Sequence, residues 1–259
     1  MPDLAALLPA GPGFALGPGS ALLLVLLSAF TALLTAGLGL GGGVLLLGGM
    51  AFLVPPAALI PVHGVVQIGA NAGRTWLLRQ HTDHGILLPF AIGALAGTLA
   101  GGSLALQLPP HWLNLALVLF ILWAAWGRWP ALRGRAERAG LWAGGLGISF
   151  LSMFVGATGP LVASLMKSRA MDRQRHMATF SACMTLQHGL KIAAFGLFGF
   201  QFAPWLPLLA AMIASGFIGT WLGERWLAGR SDAGFQRVLA WLLTAMALQL
   251  LWQATAPFR

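Results

Sequence analysis

Residues 37–47 read Gly-Leu-Gly-Leu-Gly-Gly-Gly-Val-Leu-Leu-Leu, a glycine run set inside an apolar stretch that extends from residue 21 to residue 54. Glycine weakens a helix interior by about 1 kcal/mol per residue relative to alanine, so this density predicts two half-helices, 21–36 and 44–54, joined at a break. Pro55-Pro56 closes the second. The plan recurs later: residues 141–155 run into Gly156-Ala157-Thr158-Gly159-Pro160 before apolar character resumes over 161–166. Three apolar spans follow each break, 62–78, 86–106 and 112–126 after the first, and 176–198, 202–222 and 235–252 after the second. Other landmarks pair in the same order: Phe30 with Phe150, Arg74 with Lys191, Gly97-Thr98 with Gly219-Thr220, and Gly101 with Gly223. Ordered matches of this kind point to an internal duplication.

Composition sets the environment. Hydrophobic residues make up 58% of the 259 and charged residues only 8%, with a mean hydropathy of +0.81. A water-soluble domain carries about a quarter charged residues, so this chain belongs in a membrane. Its apolar runs have the length of helices that cross a hydrocarbon core about 30 Å thick, and barrel-type alternation is missing. The expected fold is all-α and polytopic: two repeats, each with a broken or re-entrant helix plus three transmembrane helices.

The net charge of +9 raises the question of nucleic acid, and the distribution answers it. Arg79, then Arg128, Arg133, Arg135 and Arg138, then Lys167, Arg169, Arg173 and Arg175, then Arg225, Arg230 and Arg237 fall in four connections, while the connections between them carry none. That alternation is the positive-inside pattern, so the four clusters are cytoplasmic and no nucleic-acid partner is expected. Arg79 ends the second element of the first repeat on the inside, whereas its counterpart near Phe200 and Gln201 has no basic residue and reads as outside. The repeats are therefore expected to be inverted. The layout is an external tail 1–19, a first repeat 20–127, a basic cytoplasmic linker 128–140, a second repeat 141–253 and an external tail 254–259. The tail before Ser20 lacks the basic start of a cleaved signal peptide. A bacterial-type inner membrane, crossed several times with both termini external, is the expected location.

Trp76, Trp126, Trp129, Trp142 and Trp226 fall near cytoplasmic ends, and Trp112, Trp205 and Trp252 near external ones, as in an interfacial belt. Gly93, Gly97 and Gly101, like Ser215, Gly219 and Gly223, form small-residue ridges that let helices pack closely. Cys183 is the single cysteine, which excludes an intrachain disulfide and a multi-cysteine metal site; it reads as a small core residue. No cofactor or metal is expected.

Arg74 and Lys191 are the only basic side chains inside long apolar stretches. A charge at membrane depth costs about 2.5–3.5 kcal/mol on insertion scales, so it usually faces a partner, a cavity or a substrate. Two cations at matching positions suggest a path for an anion; snorkelling to the interface is the alternative. His63, Gln67, Asn71 and Arg74 are spaced four, four and three, which places them on one helical face. Their counterparts are Thr185, Gln187, His188 and Lys191, and hydrogen bonding between helices is the plainer role for the neutral ones. In an inverted layout the helix starts after Gly41, Gly42 and Gly43, and after Gly156, Thr158, Gly159 and Pro160, meet near the midplane. Their free N–H groups and positive dipole ends favour an anion.

Three segments together resemble the sulfite exporter TauE/SafE family: Gly39-Leu40-Gly41-Gly42-Gly43, Gly156-Ala157-Thr158-Gly159-Pro160-Leu161-Val162 and Met184-Thr185-Leu186-Gln187-His188-Gly189-Leu190-Lys191. The resemblance runs from about Leu22 to Trp252. It implies an inner-membrane permease that exports sulfite, organosulfonates such as sulfoacetate, or related sulfur-containing anions. Thr158 departs from the commoner Gly-Gly-Pro form of the second motif and offers a hydroxyl to substrate.

The carboxylates Asp3, Asp83, Glu137, Asp172, Glu224 and Asp232 lie in tails, connections or span ends, so none is available at the membrane centre to hold Na⁺ or carry a proton. A uniporter-like exporter is the simplest expectation, because an interior-negative potential favours anion exit by about 2.3 kcal/mol per charge per 100 mV. His63 and His188 are then the candidate internal proton carriers for a coupled alternative. Two rival classes have weaker support. A membrane-embedded hydrolase could draw on Ser149, Ser152, Ser181 and His188, but no Gly-x-Ser-x-Gly or His-Glu-x-x-His pattern is present. A divalent-metal transporter has only His81-x-Asp83-His84, in a cytoplasmic turn. A purely structural membrane subunit gives no reason for duplicated buried cations.

Overall fold

The computed structural model describes residues 9–11, 14–38, 41–105, 109–127, 137–166, 171–226 and 233–255. Arg128, Arg133, Arg135, Lys167, Arg169, Arg230, Trp129, Asp3 and Asp232, with Gly39 and Leu40 of the first break, lie outside the described residues.

Among the described residues there are ten α-helices: α1 Pro18–Leu38, α2 Gly42–Met50, α3 Pro56–Leu78, α4 His84–Ala105, α5 Pro110–Trp126, α6 Glu137–Val155, α7 Gly159–Met166, α8 Arg173–Leu197, α9 Leu206–Trp226 and α10 Ala233–Thr255. A two-residue antiparallel pairing of Ala10–Gly11 with Phe14–Ala15 precedes them. Each break falls where glycine predicts it, and there Gly41 and Gly156 take φ of +104° and +77°, a left-handed conformation that costs other residues energy. Only the piece after each break is short. α1 has 21 residues and α2 nine, so α2 spans about 13 Å, half a hydrocarbon core, while α1 is as long as a full crossing. The expectation of two half-helices at the first break is corrected accordingly, since α1 is not a half-helix.

α3 and α8 pack against each other at the centre, α1 lies along α9, α4 along α6, and α5 along α10. The small-residue ridges explain the two long flanking contacts. On α4, a Cβ at Gly93, Gly97 or Gly101 would run into the carbonyls of Trp142, Leu146 and Phe150 on α6. On α9, Gly219 and Gly223 face the carbonyls of Ala29 and Leu33 on α1 in the same way, and Ser215 Oγ donates to the Val25 carbonyl at 2.8 Å. Ser28 Oγ returns a bond of 2.8 Å to the Met212 carbonyl.

The outside of the bundle is apolar: Leu22, Leu23, Leu26 and Phe30 of α1, Leu88, Ile92, Leu95 and Leu99 of α4, and Phe217 and Ile218 of α9 are exposed. Only lipid tolerates such a surface at this density. Among the described residues, three helices suffice by length and composition alone to cross a membrane, Pro18–Ala36, His84–Ala105 and Ala203–Gly223. α3 and α8 are absent from that set because they carry the polar side chains, and their central position keeps those away from lipid. Trp76, Trp112, Trp126, Trp142, Trp226 and Trp252 are exposed as a belt requires, but Trp205 is only 7% exposed. It sits in the tight turn Ala203–Trp205 that folds onto the core at the head of α9, a direction its sequence position does not reveal.

At the start of α8, Asp172 accepts the Arg175 N–H at 2.9 Å, which holds its carboxyl below the usual carboxylate range. A depressed carboxyl contributes stability above its ordinary pKa and loses it as pH falls through the lowered one. Acidification below the ordinary carboxylate range is therefore expected to reduce protection of the Arg175 amide against hydrogen exchange. Asp172→Ala should show low protection at every pH.

Candidate functional site

A cavity of about 300 Å³ lies between the two breaks. Gly41, Gly42 and Gly43 bring the start of α2 to it, and Gly159 and Pro160 the start of α7. Gly41 supplies no side-chain cap to α2, so its first-turn N–H groups, which lack intrahelical acceptors, lie at the lining of this space. At α7 the Leu161 and Val162 amides already bond the Thr158 carbonyl, and Pro160 has no N–H, so that helix start offers the Gly159 amide and its dipole. Gln67, Asn71 and Arg74 of α3 line one wall. Asn71 Nδ2 donates to the Gln67 carbonyl at 2.8 Å. The Gln67 amide nitrogen lies so close to Gly43 that a Cβ there would meet it.

Arg74 also lines a second, wider hollow of about 560 Å³ with Leu77, Leu78, Gln174, Phe217 and Trp221. The two hollows share Ala70, Arg74, Met177 and Thr220, so the inner cavity communicates with the end of the bundle at which α3 and α9 finish and α8 begins. That end carries Arg79, Arg175 and Arg225.

The remaining predicted residues do not line the cavity. His63, His188 and Lys191 are all 0% exposed. Lys191 Nζ donates to the Gly156 carbonyl at 2.7 Å, and His63 donates from Nε2 to the Gly43 carbonyl at 3.0 Å. Thus Arg74 and Lys191, expected from the sequence to match, differ in position: one faces a cavity and the other is sealed against the second break. Thr158 Oγ1 and Gln187 Oε1 are 3.0 Å apart, and Gln187 Nε2 donates to Ser149 Oγ at 3.1 Å, which ties the second break to α8 and α6. Thr185 Oγ1 meets Thr75 Oγ1 at 2.9 Å, joining α8 to α3. Gln187→Leu leaves the buried hydroxyls of Thr158 and Ser149 without this partner, so a loss of about 1–3 kcal/mol in unfolding free energy is expected from denaturation in detergent.

His176 of α8 and Thr220 of α9 line the cavity without having been predicted as site residues, and so do Ser28, Thr31 and Thr35 of α1. The spacing of the α1 residues, three and four in an otherwise apolar helix, was the available signal. The apolar wall formed by Met177, Phe180, Met184, Met212 and Ile213 carries no signal distinct from core. In the His81-x-Asp83-His84 turn, Asp83 accepts the Gly85 N–H at 2.9 Å and pairs with Arg175 at 2.9 Å. Among the described residues no group of three His, Cys, Asp or Glu is placed to hold a metal ion.

Residues 24–250 match the family described as sulfite exporter TauE/SafE, nearly the whole chain. Comparison with curated proteins and with solved structures gives no match.

Proposed function

The chain belongs to the sulfite exporter TauE/SafE family of membrane transporters, and on that premise we propose that it exports sulfite or an organosulfonate such as sulfoacetate across the inner membrane. The observation that carries this reading is the cavity on which both breaks converge, with Gln67, Asn71 and Arg74 on its wall. These groups are donors and a cation, the requirements of an oxyanion with three acceptor oxygens. Among the described residues no carboxylate lines either hollow, which favours anionic over cationic cargo.

Two inverted repeats, 20–127 and 141–253, account for the helix order. α1–α5 and α6–α10 repeat a long, short, long, long, long plan. The contacts of α1 with α9 and of α4 with α6 exchange under the pairing of α1 with α6 and α4 with α9. In such transporters the site lies at the repeat interface near the midplane, and access alternates between sides. The cavity opens toward the end bearing Arg79, Arg175 and Arg225, which the positive-inside pattern assigns to the cytoplasm. An inward-open site is the state that loads cargo for export.

A ligand panel of sulfite, sulfate, sulfoacetate, taurine and a monocarboxylate, scored by thermal shift in detergent, tests the substrate class. Stabilisation by sulfite or sulfoacetate above the monocarboxylate is the expected result. A protein that responds to none of the sulfur oxyanions removes support for this reading.

A further inference from the structure

Behind the cavity, on the side away from its opening, three titratable nitrogen groups meet in the core. His63 is on α3, and His188 and Lys191 are one turn apart on α8. The two imidazole rings lie 6.1 Å apart, edge to face. Lys191 Nζ bonds the Gly156 carbonyl, and a Cβ on Gly156 would stand 3.7 Å from His63 Nδ1, so Lys191 and His63 meet at the second break with the His188 ring beside that of His63. His63 Nδ1 and both ring nitrogens of His188 are buried with no hydrogen-bond partner. Ring nitrogens buried without a protein partner require an explanation, because an unsatisfied buried polar group costs free energy.

We propose that His63, His188 and Lys191 form a proton-binding site, separate from the anion cavity, whose protonation favours anion occupancy and which carries one proton with each anion. The proposal rests on the anion-transport reading above. A proton adds to a nitrogen lone pair and later leaves it, with no other bond changed. Three basic groups this close in a low-dielectric interior repel one another when charged, so they share protons and titrate as a unit. α2 and α7 bring no titratable side chain to the cluster, and α6 carries only Glu137 and Arg138 at its far start. On their own helices the neighbouring titratable groups are Cys183 and His176 on α8 and Arg74, about 16 Å along α3 from His63.

The route to the cavity is short. His63 bonds the carbonyl of Gly43, which itself lines the cavity, and Lys191 bonds that of Gly156, just before Gly159 and Pro160. A bond from a charged ammonium is stronger than one from a neutral amine, so proton occupancy biases the backbone of both breaks, and its positive charge attracts the anion. By linkage the anion in turn raises proton affinity.

The test is proton uptake on adding sulfoacetate to weakly buffered protein in detergent near pH 7, with binding followed separately by thermal shift. The wild type is expected to take up about one proton per anion bound, and His188→Gln with Lys191→Met to bind sulfoacetate with at least about tenfold less uptake. Binding without proton uptake in the wild type, or unchanged uptake in the double variant, overturns the proposal. No binding at all would instead defeat the anion reading. The proton site is then decided by ¹⁵N-histidine spectra, in which the His63 and His188 ring signals are expected to respond to pH and to Lys191→Met. Ring signals indifferent to both count against it.

Discussion

Gly97→Leu and Gly219→Leu are each expected to lower the midpoint of thermal unfolding in detergent by on the order of 10 °C, or to abolish recovery of folded protein. Overpacking a core costs about 1–3 kcal/mol when neighbouring side chains can yield. Here the obstacles are backbone carbonyls, Leu146 on α6 and Ala29 on α1, so the helices themselves must separate. These contacts join helices from opposite halves of the chain, and each substitution loosens the bundle as a whole. Gly147→Leu is the control, since nothing lies within 4 Å of a Cβ there; it should leave the midpoint nearly unchanged. Equal effects of Gly97→Leu and Gly147→Leu would show that the ridge does not hold the two halves together.

The largest functional effect is expected at Arg74. Arg74→Gln keeps a polar, hydrogen-bonding side chain, though a shorter one with fewer donors, and removes the charge from the place where the inner cavity meets the outer hollow. A hydrogen bond to a charged group contributes about 1.5–3 kcal/mol, so anion affinity should fall about 10- to 100-fold. Arg74→Lys should recover part of it, because the charge remains while the planar donor fork is lost. Affinities from titration of the purified variants check this, and an unchanged affinity in Arg74→Gln would remove Arg74 from the site. Lys191 offers the contrast: sealed against the Gly156 carbonyl, it is not expected to contact the anion in this conformation.

The breaks were legible because glycine and proline act on the backbone wherever they occur: Gly37–Gly43 and Gly156–Pro160 end α1 and α6 and begin α2 and α7 as their chemistry requires. The helices that follow were legible from apolar length, and the two ridges from four-residue spacing. What sequence could not show was which side of the molecule was closed. Arg74 and Lys191 were paired from their order along the sequence, yet one lines a cavity and the other is buried. The spans read at 62–78 and 176–198 correspond to α3 and α8, but that other helices cover their polar residues was not legible in hydropathy. Ser149 was read as a weak nucleophile candidate; its hydroxyl instead accepts from Gln187, a contact across 38 residues that no local pattern records.

Sulfoacetate efflux from proteoliposomes held at an inside-negative potential tests the central claim most directly, that an anion passes through the cavity between the two breaks. Saturable efflux, faster at more negative potential and at least about tenfold slower with Arg74→Gln, is the predicted result. Efflux no faster than from protein-free liposomes, or equal in wild type and Arg74→Gln, would contradict it.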